Sequence, residues 1–241
     1  SEPDRGQSNA INKGWRKANG DLLAWINSDD FYEHGAFSGI VKYFMKNKNV
    51  DMVYGDCNIV DKKSRHIGDC PKMSFNIENL IRNKWFISQP ATFIRKKTIK
   101  EVGEVNENLH LVMDWEYFLR IALSGYCIEY LPLPTANFRI YEDAKTSSQS
   151  LESGKEKISV LNYMFYNSKY QDIGHYKNKA FSDVYGWISQ MNNKNNLNVK
   201  AILYLFKSVW FQPISMFRTN TLQRFVNYFK KLCLSKIKEI I

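Results

Sequence analysis

The sequence predicts an α/β domain with a mainly parallel sheet, followed by a helical extension. Over residues 1–150, short apolar runs bounded by turn residues alternate with segments of helical periodicity. After about residue 150, only helix-like patterns follow. The 241-residue chain is 44% hydrophobic and 15% aromatic, which is enough to bury a sizeable core. We therefore expect one α/β domain over 1–150 and a basic helical extension over 151–241.

Periodicity and turn residues place the elements of the first 150 residues. A repeat of three to four residues predicts helices over 7–18, 35–47, 75–84 and 113–126. Apolar runs predict strands at 21–26, 50–56, 90–96, "CIEYLPL" and "TANFRI", with the strand at 90–96 starting on its proline. Residues 57–68 predict a hairpin that turns at Asp61–Ser64.

The net charge of +10 lies almost wholly in the extension, where residues 151–241 hold 14 Lys and Arg against 5 Asp and Glu. A basic surface can meet nucleic acid, a membrane or an acidic partner. The last segment, 221–241, has apolar positions at helical spacing: Leu222, Phe225, Val226, Phe229, Leu232, Leu234 and Ile237. This pattern fits a helix in an anionic membrane interface, and equally a helix packed on the α/β domain.

Several functional classes find no support in the sequence. No apolar run approaches the roughly 20 residues that span a bilayer, and no signal-peptide pattern opens the chain. Cys57, Cys70, Cys127 and Cys233 are far apart, so we expect free thiols in a reducing cytoplasm and no cysteine metal site. Nucleic-acid binding is disfavoured, because no zinc-finger, helix-turn-helix or RNA-recognition signature occurs.

The stretch "NSDD" follows the apolar run at 21–26 and carries Asn27, Asp29 and Asp30. In open α/β sheets, ligands bind at the carboxyl ends of strands. Adjacent carboxylates repel one another unless water or a cation neutralises them, and Mg²⁺ or Mn²⁺ commonly bridges carboxylates to substrate phosphates. The alternative is a solvated turn in which an Asp caps the next helix.

Four blocks in the same order carry a family resemblance. They are "SEPDRGQSNAINKGWRKANGDLLAWINSDD", "ISQPATFIRK", "NENLHLVMDWEYFLRIA" and "FRIYEDAKTSS". Together they resemble family 2 glycosyltransferases, which are nucleotide-sugar-dependent enzymes with the Rossmann-like GT-A fold. The resemblance covers residues 1–150 and implies an inverting hexosyltransferase acting on a glycan or lipid-linked acceptor. It also implies that the family's first βα unit has no counterpart here, so we expect an N-terminally truncated domain.

The resemblance implies a divalent cation, Mg²⁺ or Mn²⁺, held by Asp29. Asp30 would support the cation or contact the donor, and Asn27 stands where the family's stricter pattern has an Asp. A cation there would stabilise the charge of the leaving diphosphate. Arg139 and Lys145 are expected to clamp that diphosphate, although Tyr141 and Ala144 depart from the family's pattern beside them.

The loop before the first helix is the second donor-binding candidate. Asp4, Arg5, Gly6 and Gln7 precede a helix N-terminus, which attracts anions. By resemblance, Asp4 would bind the nucleotide base and Asn12 would pack against the donor. The alternative is that Asp4 is a turn residue and Asn12 a polar residue on the helix surface.

The acceptor side is predicted around the fourth helix. Asp114 is the candidate general base, which would take the proton of the attacking hydroxyl. Gln89 is expected to position acceptor or donor, Trp115 to bind acceptor, and Glu116 to support the site or bind acceptor. The structural alternative for Asp114 is a helix N-cap, and for Gln89 a polar residue at a strand edge.

The leading hypothesis is therefore a glycosyltransferase of cell-surface polysaccharide biosynthesis that binds no nucleic acid. We expect it in the cytoplasm, peripheral on the inner face of the cell membrane. The alternative from another class is a non-catalytic fragment that binds a membrane or a polysaccharide precursor.

Overall fold

The computed structural model describes residues 2–84, 87–141, 151–217 and 219–240, with side chains in the last helix described from residue 220 to residue 231. The described residues divide into two compact units. Unit 1 contains residues 2–80 and 87–141, and unit 2 contains residues 81–84 and the described residues after 150. The domain boundary expected at residue 150 stays a prediction, because residues 142–150 lie outside the described part.

Unit 1 is built on one mixed sheet. Its described strands are β1 (Leu22–Leu23), β2 (Phe31–Tyr32), β3 (Met52–Val60), β4 (His66–Asp69), β5 (Thr92–Arg95) and β6 (Ile128–Arg139). The order is β1-β5-β3-β6-β2, and β4 pairs with the second half of β3. The longest pairing joins β3 and β6 in parallel, from Met52↔Ile128 to Val60↔Arg139. The predicted α/β class is confirmed.

The parallel pairing expected of the sheet is found in this central pair, while the four flanking pairings are antiparallel. A parallel pair needs a long crossover, which the chain supplies between β3 and β6. By contrast, β4 follows β3 through the turn predicted at 61–64, and a hairpin is antiparallel. The sheet is therefore parallel in its centre and antiparallel around it.

One strand replaces the two predicted at "CIEYLPL" and "TANFRI". β6 continues through both prolines by shifting its register against β3, between Tyr54↔Tyr130 and Asp56↔Pro134. Gly55 of β3 faces this bulge, and a Cβ there would lie 2.7 Å from the carbonyl oxygen of Leu133. A glycine is required at this position because the two backbones approach so closely.

The helices of this part of the chain are α1 (Gln7–Lys17), α2 (Ala36–Lys46), α3 (Ile77–Ile81), α4 (Lys96–Val102) and α5 (Met113–Leu123). Gly35 precedes α2 with φ of 78°, and Gly125 follows the end of α5 with φ of 83°, a left-handed conformation that favours glycine. The prediction missed α4. It also extended the strand at 90–96 too far, because Pro90 lies in a 3₁₀ turn at Gln89–Ala91.

Two groups of side chains form the core of unit 1. Ile40 and Phe44 of α2 pack on Val53 and Phe93 of the sheet. Separately, Trp15 of α1 contacts Trp25 with ring centroids 5.3 Å apart, and both rings lie against Tyr117 of α5. This second group holds α1, the segment after β1 and α5 together, and these are the elements that carry the site.

Unit 2 is helical, as predicted for the extension. Its helices are α6 (Leu151–Tyr166), α7 (Lys177–Lys194), α8 (Asn198–Phe211) and α9 (Thr219–Ile240). Its core includes Ala201, Ile202 and Leu205 of α8 against Phe225 and Tyr228 of α9. Among the described residues, no helix combines the length and apolarity needed to cross a membrane.

Candidate active site

The acidic turn after β1 is held at the carboxyl end of the central parallel strand β6. The Arg139 backbone N–H donates to Asp30 Oδ1 at 2.9 Å, and the Tyr141 hydroxyl donates to Asp29 Oδ2 at 3.1 Å. Asn27 Nδ2 lies 3.3 Å from Asp30 Oδ2. The structure therefore brings Asn27, Asp29 and Asp30 together with Arg139 at the predicted edge.

Burial raises the pKa of Asp30 to about 6, and the neighbouring charge of Asp29 contributes to the rise. The hydrogen bonds from Arg139 and Asn27 act in the opposite direction. Two adjacent carboxylates under mutual repulsion fit a hard divalent cation, which takes oxygen ligands and can complete its shell with water and substrate phosphate. Among the described residues, no group of three or more His, Cys, Asp or Glu could hold a metal. Within the described part of the chain, a cation at Asp29 and Asp30 would therefore have no third His, Cys, Asp or Glu ligand.

The shifted pKa of Asp30 predicts a pH-dependent effect on stability in metal-free protein. Because the pKa is raised in the folded state, the ionised carboxylate destabilises the folded protein. This destabilisation is absent below about pH 4 and reaches its full size above about pH 6. In EDTA at pH 8, we expect Asp30→Asn to raise the free energy of unfolding by roughly 1 kcal/mol, a value that allows for the partial exposure of the side chain. The melting temperature should then rise by about 2–4 °C. At pH 4 the difference should disappear. Asp21→Asn, in an exposed residue, is the control, and an equal rise for Asp30→Asn at both pH values would contradict the account.

The side chain of Arg139 has a role other than the one predicted. Its guanidinium donates to the backbone carbonyls of Asp61 and Asp29, at 2.9 and 2.8 Å, and to Ser64 Oγ. These contacts fasten the β3–β4 turn to the acidic turn. Arg139 thus positions the site, and a diphosphate would have to compete with these bonds. Lys145, its predicted partner in the clamp, lies outside the described residues.

The first turn of α1 connects the acidic turn with the helix of Asp114. Gln7 Nε2 donates to Asn27 Oδ1 at 2.7 Å. The next residue, Ser8, lies 2.8 Å from Met113 Sδ, immediately before Asp114. Gly6 caps the helix with φ of 121° and has no side chain to cover the first N–H groups. The two predicted carboxylate sites therefore flank a helix N-terminus, which is a favourable place for an anion.

The remaining residues of the predicted donor loop shape this N-terminus. Asp4 Oδ1 accepts from the Gly6 N–H at 2.9 Å, as in the turn alternative, and its exposed side chain leaves base binding as a prediction. Arg5 is 83% exposed and forms an ion pair with Glu107 at 3.1 Å. Asn12 is 1% exposed, and its amide bonds the backbone of Val105 through both ends. Asn12 is thus neither a surface residue nor available to a donor, and it supports the loop instead.

Asp114 lies in the first turn of α5, whose N-cap is Val112, so the N-cap alternative does not hold. Its Oδ1 accepts from the Trp115 N–H at 2.8 Å, and its side chain is half-buried. A carboxylate in this position is favoured by the helix dipole. The general-base role stays a prediction for a residue that the structure places beside the α1 N-terminus.

The structure assigns supporting roles to the predicted acceptor residues. Trp115 is buried and donates from its indole to the carbonyl of Leu80 at 2.7 Å. Glu116 is 4% exposed and forms a two-bond ion pair with Arg120. Gln89 is 8% exposed and donates to the carbonyl of Trp25 at 2.6 Å. These contacts hold all three side chains within unit 1, and acceptor binding stays a prediction for them. Trp115 and Glu116 are buried because their positions on α5 face the core.

Two residues of the site had no role in the sequence analysis. Glu107 accepts from Arg5, Asn9 and Asn12, and so ties the loop before α5 to α1. Glu107 lies at the start of the block "NENLHLVMDWEYFLRIA", and its place in that block was the one sequence feature that could have indicated a role. Tyr141 donates to Asp29 from the position where the family's pattern often has a histidine. This departure from the pattern was the sequence feature that pointed to Tyr141.

Cys57, Cys70 and Cys127 are free thiols, as predicted, while the side chain of Cys233 lies outside the described residues. Cys57 and Cys70 meet across the β3–β4 pair, where the Cys70 N–H donates to the Cys57 carbonyl at 2.8 Å. They form a small cluster with Ala91 and Ala136. This cluster packs the centre of the sheet next to the acidic turn.

Comparisons with known proteins define the class. Residues 1–103 match the model of the family described as glycosyl transferase family 2. A PGL/p-HBAD biosynthesis glycosyltransferase of Mycobacterium tuberculosis (strain ATCC 25177 / H37Ra) is 25% identical over 120 residues, 49% of this chain and 44% of that protein. The uncharacterized glycosyltransferase YwdF of Bacillus subtilis (strain 168) is 22% identical over 187 residues, 75% of this chain and 66% of YwdF. The chain thus spans less than half of its mycobacterial relative.

Among solved structures, the crystal structure of S. aureus TarS 1-349 in complex with UDP-GlcNAc superposes with a TM-score of 0.52. It is 12% identical, and the match covers 88% of this chain and 71% of TarS 1-349. This likeness shows the fold, which is that of the GT-A glycosyltransferases. Residues 1–103 are thus similar to glycosyltransferase family 2, and the chain has the fold of these enzymes.

Proposed function

We propose that the protein transfers a sugar from a nucleotide-diphosphate sugar to a glycan or lipid-linked acceptor, with inversion at the anomeric carbon. The observation that supports this proposal is that Asn27 of the acidic turn and Met113, the residue before Asp114, both contact the first turn of α1. Gln7 and Ser8, adjacent on α1, touch Asn27 and Met113 respectively. The resulting site offers carboxylates for a cation, N–H groups for phosphate and a third carboxylate for a proton.

The donor would lie with its diphosphate at the N-terminus of α1. The helix dipole and the backbone N–H groups of this first turn favour negative charge. TarS, whose fold this chain shares, is in complex with UDP-GlcNAc, which makes nucleotide sugars the donor class to test. Asp4 and Arg5, exposed at the mouth of the loop, are the candidates for contact with the nucleotide.

In the transfer step, an acceptor hydroxyl oxygen attacks the anomeric carbon while the bond from that carbon to the diphosphate oxygen breaks. Asp114 takes the hydroxyl proton, and the nucleoside diphosphate leaves with the electron pair. Asp29 and Asp30 would hold Mg²⁺ or Mn²⁺, which supplies charge stabilisation to the departing diphosphate. Arg139 and Tyr141 keep these two carboxylates at the sheet edge throughout.

The cellular role that we propose is polysaccharide biosynthesis at the inner face of the cell membrane. The support is the charge of the chain, +10 overall, with the excess in the helical extension. A basic surface favours an anionic membrane and a lipid-diphosphate acceptor. The competing possibility is a non-catalytic fragment that binds such a precursor without turnover.

The proposed function is tested by donor turnover. The full-length protein is incubated with UDP-, GDP- and dTDP-sugars and Mg²⁺, Mn²⁺ or EDTA, and release of nucleoside diphosphate is measured with and without glycan acceptors. We expect turnover with at least one donor, lost in EDTA and in Asp29→Ala but kept in Asp21→Ala. Nucleotide binding without turnover for every donor would favour the non-catalytic alternative.

A further inference from the structure

Helix α8 carries a continuous apolar stripe that faces solvent. Val199, Leu203, Phe206 and Trp210 recur at spacings of three and four residues, and they are 55%, 56%, 51% and 82% exposed. Such spacing places all four on one side of a helix. The opposite side of α8 is buried through Ala201, Ile202 and Leu205, so the stripe is not needed for the core.

The stripe continues beside α9. Phe206 contacts Phe225 of α9 with ring centroids 4.9 Å apart. Phe225 is buried in this contact, but Leu222, Val226 and Phe229 of α9 are 46–48% exposed. The apolar pattern of α9 is therefore divided between a face that packs on α8 and a face open to solvent. Ile214, between the two helices, is 75% exposed. We give the name α8–α9 surface to the exposed apolar residues of this region: Val199, Leu203, Phe206, Trp210, Ile214, Leu222, Val226 and Phe229.

The charged residues of α8 are all basic. Lys200 and Lys207 border the stripe, and the helix contains no Asp or Glu. Lys and Arg beside an exposed Trp on an apolar stripe are typical of a helix that lies in a membrane interface.

We propose that the α8–α9 surface docks the protein on an anionic lipid bilayer, with Trp210 and Leu203 entering the interface and Lys200 and Lys207 meeting lipid phosphates. This inference rests on the peripheral location proposed above and names the elements that produce it. The charge pattern favours a bilayer over a second copy of the chain, because two such surfaces would place like charges against each other. The sequence pattern indicated membrane contact through residues 221–241. The proposal adds α8 to the membrane-binding surface.

The test uses vesicle sedimentation with the full chain and two vesicle compositions, phosphatidylcholine alone and phosphatidylcholine with phosphatidylglycerol. We expect binding to the anionic vesicles, weakened at least about tenfold in the double variant Leu203→Ser/Trp210→Ala, because two apolar side chains no longer leave water. The matched control is Met45→Ser, which removes a 65% exposed side chain of α2 in unit 1 and should bind as wild type. A fluorescence blue shift on vesicle addition should be lost with Trp210→Phe.

The two lysines beside the stripe are tested in the same assay. The double variant Lys200→Gln/Lys207→Gln should reduce the preference for anionic over neutral vesicles and the sensitivity of binding to salt. An unchanged preference and salt sensitivity in this variant would overturn the proposed role of the two lysines.

Three outcomes would overturn the docking proposal. They are equal binding of Leu203→Ser/Trp210→Ala and wild type, absence of binding to both vesicle types, and a wild-type dimer that the same double variant converts to monomer. Donor turnover measured on these variants without vesicles separates this result from the proposed function, since no residue of the α8–α9 surface belongs to the candidate active site.

Discussion

Asp114→Asn is expected to lower sugar transfer by about 100- to 10,000-fold while nucleotide binding stays within about twofold of wild type. The substitution keeps the shape of the side chain and its acceptance of the Trp115 N–H, 2.8 Å away, but it removes the proton acceptor. The effect should appear in kcat rather than in the KM for donor. Transfer is measured with the donor and acceptor found active in the donor panel.

The control for this prediction is Asp21→Asn, the same change in an exposed residue of unit 1. Melting temperatures of both variants are compared first, so that a loss of folding is not read as a loss of catalysis. Transfer by Asp114→Asn at the wild-type rate would remove Asp114 from the mechanism and leave the donor site untouched.

Glu116→Ala is expected to destabilise unit 1 by about 3–5 kcal/mol, because it leaves the charge of Arg120 unpaired in a largely buried place. Glu116 is 4% exposed and binds Arg120 through two bonds of 2.8 and 3.0 Å. Arg120 in turn holds the carbonyls of Val102 and Glu104 before α5. The free energy of unfolding is measured by urea denaturation.

The matched control is Glu104→Ala, which breaks an exposed ion pair with Arg16 and should cost no more than about 1 kcal/mol. If Glu116 bound acceptor instead, its removal would raise the KM for acceptor at unchanged stability. That result would restore the role that the sequence suggested.

Much of the order of elements in unit 1 was predictable because local signals produce it, although β2 and α4 were missed. Helical periodicity gave α1, α2 and α5 to within a few residues, and the turn at Asp61–Ser64 gave the β3–β4 hairpin. The pairing of the strands was not predictable in the same way. β1 pairs antiparallel with β5, which lies some 70 positions later, and no local pattern encodes that partner.

The positions of candidate side chains were predictable at element ends and not inside elements. Asp29 and Asp30 follow β1 in a turn, and the structure places them as expected at the carboxyl end of β6. Asn12 and Glu116 lie within helices, where position along the sequence does not reveal which side faces the core. Both side chains prove to be buried and bonded within unit 1.

The central claim is that Asp29 and Asp30 hold a cation that binds a nucleotide diphosphate at the N-terminus of α1. Calorimetric titration of UDP, GDP and dTDP into the full-length protein, with Mn²⁺ or with EDTA, tests it most directly. The account predicts binding of at least one nucleotide that weakens at least about tenfold in EDTA and in Asp29→Ala, but not in Asp21→Ala. Binding of equal strength with and without metal, and in both variants, would contradict it.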